Sequence, residues 1–374
     1  MELGLFTLSD LITDPSTGIP MTARDRIDET IRAASLADQV GLDVFGVGEH
    51  HRLDFAVSSP AVVLAAIAQI TKRIRLTSAV TVLSAADPVR VFQDFSTVDL
   101  ISGGRAEIIA GRGVFTEPFP LFGVDLEDYD QLFSEKLDLL RQLSRTERIT
   151  WGGNFRSSLH DAEISPRPIQ KELPIWIGVG GTPQSAVRAG DLGLPMALAV
   201  LGGPIAAIRP MVELYREAGR RAGHDPSKLK VGINSHAYIG EDAQQARKLH
   251  RPFYQQYLRE GTPRGKRLVQ LSPAEFQSMT GPGTALMIGS AQEMIDKIME
   301  EYKLLHHDRF LAQIDVGRLP FREVAKAIER FGEKVAPVVR AETGNDTPKS
   351  TDDSRPATSI GESPDEEALS AIEA

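Results

Sequence analysis

The 374-residue sequence predicts an α/β fold, a (β/α)8 barrel that occupies residues 1–340. Three observations support this prediction. Eight strand-like segments alternate with helix-like segments along the range, which is the pattern of a parallel sheet covered by helices. The first strand is not followed by the G-x-G-x-x-G turn of a dinucleotide-binding sheet, and no G-x-x-x-x-G-K-[ST] loop occurs. No apolar run approaches the roughly 18 residues that a membrane helix needs.

The strands are predicted from short apolar runs, and the third of them alternates between apolar and polar residues at the period of two. In chain order they are Leu3–Leu8, Asp43–Gly48, Ile74–Leu83, Ala106–Ala110, Ile175–Val179, Met196–Leu201, Lys230–Ile239 and Arg309–Asp315.

The helices are predicted from apolar residues at helical spacing and from the signals at their ends. The first begins at Thr22, which opens a sequence resembling a capping box, and ends at Gly41. The segment Gly261–Leu286 is predicted to be an insertion before the last βα unit. The remaining helices are predicted at 60–71, 88–102, 129–143, 183–192, 204–222, 242–260, 291–305 and 321–335.

Composition excludes several classes of function. The chain has no Cys, which excludes thiolate metal sites, iron–sulfur clusters, disulfides and thiol nucleophiles. The net charge is −9, but residues 341–374 contain nine acidic and two basic residues, so residues 1–340 sum to only about −2. We therefore expect no nucleic-acid surface. Because the N-terminus lacks a basic segment of the kind found in secretory signals, we expect a cytoplasmic enzyme with no membrane association.

The acidic segment 341–374 is predicted to be a disordered tail. It is rich in Ser, Thr, Pro, Asp and Glu and poor in large apolar residues. Such a segment buries too little surface to offset the entropy lost on ordering.

Titratable residues are densest directly after the second predicted strand, in Glu49-His50-His51-Arg52. Catalytic residues of a barrel lie where its strands end, and a carboxylate beside imidazoles offers acid–base chemistry near neutral pH. The alternative is a solvated loop. A metal site is disfavoured because no second cluster has ligand spacing, and we expect His306-His307 to complement a helix dipole.

Two further strand ends carry residues suited to an anion. Arg112 stands between two glycines, which fits either a charge aimed at a ligand or a turn whose Arg pairs with a surface carboxylate. The sequence Gly180-Gly181-Thr182-Pro183-Gln184-Ser185 leads a strand into a helix, whose N-terminus is a natural phosphate site. The alternative there is a well-capped tight turn. His236, on the seventh strand, either lines the pocket or is a satisfied interior histidine.

In their order along the chain, these segments resemble the bacterial luciferase-like flavin-dependent monooxygenases. The resemblance covers about residues 1–340 and rests on Gly-Glu-His-His, Ala-Asp-Pro-Val-Arg, Ser-Gly-Gly-Arg-Ala-Glu with Gly-Arg-Gly, and Gly-Gly-Thr-Pro-Gln-Ser. It implies a TIM-type barrel that uses reduced flavin mononucleotide (FMN) and O2 to oxidise a small organic substrate. It also implies a separate flavin reductase and a homodimer formed through helices on one side of the barrel.

The resemblance assigns roles to individual residues. The family's Glu-His pair corresponds to Glu49 and His50. His50 is expected to be the acid or base beside the flavin, and Glu49 is expected to help fix the pocket. Strict alternation along a strand would turn these two side chains to opposite faces. The family's non-proline cis peptide bond corresponds to Ala79-Val80. Flavin contacts correspond to Ala79, Val80, Gly111 and Arg112, and the phosphate loop to Gly180, Gly181, Thr182 and Ser185.

The resemblance has limits, and two other functions stay open. Luciferases proper have Cys in place of Gly111 and Glu-Ser in place of Gly180-Gly181, so light emission from a long-chain aldehyde is not implied. The alternatives are hydride transfer with a deazaflavin coenzyme and a flavin-binding protein without turnover. The substrate is not predicted, because the pocket walls are expected to come from Val114–Asp128 and from the insertion.

Overall fold

The computed structural model describes residues 1–260 and 270–344. The strands are β1 (Glu2–Thr7), β2 (Val44–Val47), β3 (Arg75–Ser78), β4 (Thr81–Val82), β5 (Ala106–Gly111), β6 (Arg148–Trp151), β7 (Leu159–Glu163), β8 (Ile175–Val179), β9 (Met196–Ala199), β10 (Val231–Gly240), β11 (Met287–Ser290) and β12 (Arg309–Gln313).

The helices follow the same pattern. They are α1 (Ala23–Gln39), α2 (Pro60–Ile70), α3 (Pro88–Ser102), α4 (Pro118–Leu121), α5 (Tyr129–Arg145), α6 (Pro183–Asp191), α7 (Arg209–Arg221), α8 (Ala243–Glu260), α9 (Pro273–Met279), α10 (Ala291–Leu305), α11 (Phe321–Arg330) and α12 (Ala336–Glu342).

Eight of the strands close into a parallel barrel, which confirms the predicted fold. The ring runs β1-β2-β3-β5-β8-β9-β10-β12, and β12 pairs with β1. The short β4 pairs with β5 beyond the end of β3, and β11 pairs with the outer part of β10. The predicted segments Leu3–Leu8 and Ala106–Ala110 lie within a residue or two of β1 and β5.

Helix ends match their sequence signals. The Thr22 hydroxyl accepts a hydrogen bond from the Asp25 N–H at the start of α1. The Asp87 side chain caps α3, whose first residue is a proline, and Gly103 ends that helix at φ 71° in the left-handed region. These caps fix the helices relative to the barrel strands that precede and follow them.

A buried ion network fills the N-terminal half of the barrel. The Arg309 guanidinium makes two hydrogen bonds to Glu107, at 2.8 and 3.2 Å, and its Cζ lies 4.2 Å from the Trp176 ring centroid. Glu2 also pairs with Arg309, at 2.7 Å. These side chains occupy the barrel interior at the N-terminal ends of the strands, whereas the active sites of such barrels lie at the C-terminal ends.

The structure differs from the predicted elements at several places, three of which bear on the barrel and its surroundings. The predicted strand Ile74–Leu83 is two strands, β3 and β4, separated by a cis peptide bond at Ala79-Val80. The hairpin β6–β7 was not predicted, because its short strands expose most of their polar residues and carry little apolar signal. The insertion contains α9, and strand β11 follows it directly; residues 261–269 lie outside the described residues.

The acidic segment begins within the last helix. Helix α12 continues to Glu342, two residues beyond the predicted end of the folded unit, and most of the predicted tail (345–374) lies outside the described residues. Among the described helices, none combines the length and the apolar character needed to span a bilayer.

Candidate functional site

The fold brings the predicted anion-binding residues together. Arg112, directly after β5, donates a hydrogen bond to the Ser185 hydroxyl in the first turn of α6, at 2.8 Å. The two residues are 73 positions apart in sequence. The Arg112 guanidinium also lies over the Tyr129 ring, with Cζ 4.8 Å from the centroid, and its side chain is only 14% exposed. Arg112 also pairs with the exposed carboxylate of Asp130, at 2.5 Å, as the second of its two alternatives predicts. Its contact with a ligand stays a prediction.

The loop before α6 is open. A Cβ placed on Gly180 or on Gly181 would meet no atom of the described residues within 4 Å. Thr182 is the N-cap residue of α6, but its hydroxyl makes no cap hydrogen bond in the described structure. The loop is therefore not simply a well-capped turn, and the hydroxyl is available to a ligand beside a helix N-terminus.

Position 111 has no room for a side chain, which explains the glycine there and which the sequence did not indicate. A Cβ at this position would lie 2.4 Å from Val80 Cγ2, and one at Gly178 would lie 2.8 Å from Val80 Cγ1. The Val80 side chain thus occupies the space over both glycines, next to the predicted cis bond at Ala79-Val80, which is present. Whether these residues contact a cofactor stays a prediction.

His50 sits in an aromatic slot at the barrel mouth. Its ring stacks on Phe55, with centroids 3.9 Å apart and planes at 12°, and it meets Phe115 edge-on at 5.5 Å. Burial lowers the pKa of His50 to about 4, so the imidazole is neutral at physiological pH. Its Nδ1 is buried and has no hydrogen-bond partner among the described residues.

Glu49 pairs with His51 rather than with His50. Its Oε1 lies 2.9 Å from His51 Nε2, and its Oε2 accepts a hydrogen bond from the Val82 N–H at 3.0 Å. The two neighbouring side chains point to different sides, and the assignment of Glu49 and His50 as the family's Glu-His pair stays a prediction. The carboxylate instead joins the end of β2 to β4. His51 is visible in the sequence next to Glu49 and His50, but the sequence does not show that Glu49 pairs with it.

Three polar side chains on β10 and β12 lie inside the barrel, and of these only His236 is a site candidate from the sequence alone. In register, His236 lies beside Gln313, and Asn234 is two residues earlier. Gly232 on the same strand faces the Trp176 ring inside the barrel, so alternation turns Asn234 and His236 inward as well. Asn234 Oδ1, Gln313 Oε1 and both nitrogens of His236 are buried without partners among the described residues.

His236 differs from the second of its two interpretations, a satisfied interior histidine. It is interior, 2% exposed, beside the rings of Tyr254 and Tyr257, and burial lowers its pKa to about 4. It is not satisfied, however, because neither ring nitrogen finds a partner in the described part of the chain. Such orphaned atoms are uncommon in native proteins, and each of them requires an explanation.

The prediction that His306-His307 complements a helix dipole is wrong for His307. His307 is 1% exposed and burial lowers its pKa to about 3, so it carries no charge with which to complement a helix dipole. His306 forms the left-handed C-cap of α10 at φ 46°. Within the described residues, no group of three or more His, Cys, Asp or Glu could hold a metal ion.

The chain is similar to one family model, to curated relatives and to solved structures. The family model described as luciferase-like monooxygenase matches residues 1–308. The oxygenase component of a flavin-dependent trigonelline monooxygenase from Acinetobacter baylyi is 23% identical, over 90% of this chain and 95% of that protein.

Two solved structures share the fold. The oxygenating constituent of 3,6-diketocamphane monooxygenase from Pseudomonas putida, in complex with FMN, superposes with a TM-score of 0.73 at 20% identity, over 90% of this chain and 98% of that one. An F420-dependent secondary alcohol dehydrogenase superposes with a TM-score of 0.68 at 21% identity, over 91% and 99%.

Proposed function

The chain belongs to the luciferase-like monooxygenase family, and from this premise we propose that it binds reduced FMN in the barrel mouth and oxidises a small organic substrate with O2. The family match confirms the resemblance drawn from the sequence and the class of enzyme it implies. The observation that supports the cofactor most directly is the contact between Arg112 and Ser185 at the N-terminus of α6.

The residues present fit a flavin phosphate. A guanidinium, two hydroxyls and the positive end of a helix dipole converge on an open loop, and these are the groups that bind phosphate in proteins. Arg112, Thr182 and Ser185 would hold it, together with the backbone at Gly180 and Gly181.

The orphaned polar atoms fit the ring of the same ligand. The pyrimidine edge of a flavin offers both N–H and C=O groups. Asn234 Oδ1, both ring nitrogens of His236 and Gln313 Oε1 are buried and lack partners among the described residues. Leaving one buried polar atom unpaired costs about 1–3 kcal/mol, so a ligand that pairs several of them gains affinity.

Reduced flavin, when bound, supplies the electrons that activate O2. The chain's own contribution is to exclude water and to manage a proton. Phe55 and Phe115 cover His50, which stays neutral and therefore holds one proton and one lone pair on its ring. Nδ1 has no competing partner among the described residues, so His50 is the group we assign to acid–base chemistry. Glu49 acts as a positioning residue through the Val82 N–H and His51.

Two assembly partners belong to this proposal. The name of the Acinetobacter baylyi relative describes an oxygenase component, which supports a separate reductase that would deliver reduced FMN here too. A homodimer is supported by α2, which has no charged residue and exposes Val62 and Ile70. Leu53, in the loop before α2, is fully exposed.

A deazaflavin hydride-transfer enzyme is the second candidate, because an F420-dependent dehydrogenase shares the fold. A flavin carrier without turnover is disfavoured, because storage needs the phosphate loop but not a buried neutral His50. These three candidate functions are tested by anaerobic titration with reduced FMN and, separately, with reduced F420. Each titration is followed by mixing with O2. We expect reduced FMN to bind and its reaction with O2 to differ in rate from that of free reduced FMN. Failure of reduced FMN to bind, or oxidation at the free rate, overturns the proposal.

A further inference from the structure

A second arginine lies beside the proposed phosphate site and is incompletely paired. Arg188 is three residues after Ser185 on α6, so the two share one side of that helix. Its Nη2 lies 3.5 Å from Asp130 Oδ1, and its Cζ lies 5.4 Å from the Phe133 ring centroid. Its Nη1 is buried and has no hydrogen-bond partner among the described residues.

Asp130 lies between the two guanidinium groups. One oxygen, Oδ1, contacts both Arg112 at 2.5 Å and Arg188 at 3.5 Å, although the Asp130 side chain is 64% exposed. One carboxylate thus balances two cations, and the helix N-terminus adds further positive potential. An ion pair this exposed contributes at most about 1 kcal/mol, so a better anion can displace it.

We infer that Asp130 is an internal counter-ion which the flavin phosphate displaces, and that Arg188 then becomes a second ligand of the phosphate. The inference rests on the proposed FMN site. A phosphate monoester carries a charge between about −1.5 and −2 at neutral pH and offers three terminal oxygens. It can therefore pair both arginines at once, including the unsatisfied Nη1 of Arg188, which a single carboxylate oxygen does not.

The backbone of Asp130 allows this exchange without refolding. Asp130 is in the first turn of α5, which is held by two hydrogen bonds of 2.8 Å: the Tyr129 hydroxyl donates to the Gly113 carbonyl, and the Ser134 hydroxyl donates to the Asp130 carbonyl. Only side chains need to turn: that of Asp130 moves away from the loop, and that of Arg188 moves so that its buried Nη1 reaches the phosphate. A displaced carboxylate would still lie near the N-terminus of α5, where negative charge is favoured.

This arrangement makes Asp130 a determinant of specificity. Every ligand that enters the loop must compete with its carboxylate, and only a strongly anionic ligand gains from the competition. FMN carries such a group, whereas riboflavin has the same ring without the phosphate. Asp130 should therefore set the affinity for FMN and leave the affinity for riboflavin unaffected.

The test is a fluorescence titration of oxidised FMN and of riboflavin with the wild type, Asp130→Asn and the control Glu127→Gln. Glu127 is an exposed carboxylate three residues earlier, without an ion pair in the described structure, so its variant has the same charge change. We expect Asp130→Asn to lower the Kd of FMN by about three- to tenfold. The riboflavin Kd should not change in either variant, nor the FMN Kd in the control.

Arg188 is tested in the same way. Arg188→Gln should raise the Kd of FMN by about tenfold without changing that of riboflavin, and Arg188→Lys should recover part of the loss because it retains the charge. Thermal unfolding checks that each variant is folded.

Three results overturn the inference. The first is an FMN Kd for Asp130→Asn that differs from the wild-type value no more than the control's does. The second is weaker FMN binding by Asp130→Asn. The third is unchanged FMN binding by Arg188→Gln. A wild type that binds FMN no more tightly than riboflavin would instead refute the phosphate site of the proposed function itself.

Discussion

Replacing Gly181 with Asp tests the phosphate loop with little structural cost. Gly181 is not among the residues with positive φ, and a Cβ there meets no atom of the described residues within 4 Å. The new side chain should fit without strain, so the Tm should stay at the wild-type value. What changes is the charge, because a carboxylate is placed in the loop where the phosphate is proposed to bind.

The expected loss follows from Coulomb's law. A charge of −1 at about 5 Å from a dianion is repelled by about 1.7 kcal/mol even at the dielectric constant of water. Since about 1.4 kcal/mol corresponds to a factor of ten in Kd, FMN binding should weaken at least about tenfold. Partial exclusion of water at the mouth would increase the effect.

The assay is a flavin fluorescence titration with Gly181→Asn as the control, because Asn has nearly the same size and no charge. Gly181→Asp should raise the Kd of FMN well above that of the Asn variant, and the Kd of riboflavin should respond much less. Equal FMN affinities for the Asp and Asn variants would refute the placement of the phosphate.

The other predictions concern the aromatic slot, a buried carboxyl group and the acidic tail. His50→Ala should leave FMN binding largely intact but slow turnover by about 10²–10⁴-fold. Because burial lowers the pKa of His50 to about 4, the rate of the wild-type enzyme should show no histidine titration between pH 6 and 9. Stopped-flow oxidation of the bound reduced flavin at the parental rate would remove His50 from the mechanism. Glu301 is fully buried, and burial raises its pKa from 4.5 to about 8. Between these two pH values the folded state keeps a proton that the unfolded state loses. The free energy of unfolding therefore falls as the pH rises from about 4.5 to 8. The free energy of unfolding, measured with denaturant at pH 5 and at pH 8.5, should fall by about 2–5 kcal/mol less in Glu301→Gln than in the wild type. The exposed Glu329→Gln should show the wild-type fall. An equal fall in Glu301→Gln and the wild type would contradict the assignment. Deleting residues 345–374 should leave Tm and FMN affinity unchanged, and a Tm lower by several degrees would show that this segment contributes to stability.

The barrel was predictable because its strands and helices each carry local signals. Period-two and period-3.6 patterns, with Asp87-Pro88 before α3 and Gly103 after it, define elements whose closure follows from general packing rules. Residues at strand ends could be named as site candidates for the same reason. The contact between Arg112 and Ser185 then follows from the fold, since both stand at the same end of the barrel.

What could not be predicted depends on contacts between segments distant in sequence. The side-chain volume of Val80 explains Gly111 and Gly178 only once three strands are placed side by side. The unpaired Oε1 of Gln313 has no sequence signature, because a glutamine on an apolar strand looks the same whether or not it has a partner. The choice of His51 over His50 by Glu49 depends on how the chain bends after β2.

A crystal structure of the protein with FMN is the measurement that tests the central claim most directly. The account predicts the phosphate within hydrogen-bond distance of the Arg112 guanidinium and the Ser185 hydroxyl, at the N-terminus of α6, with the ring beside His50 in the barrel mouth. FMN bound elsewhere, or bound in the mouth with its phosphate away from Arg112 and α6, would contradict it.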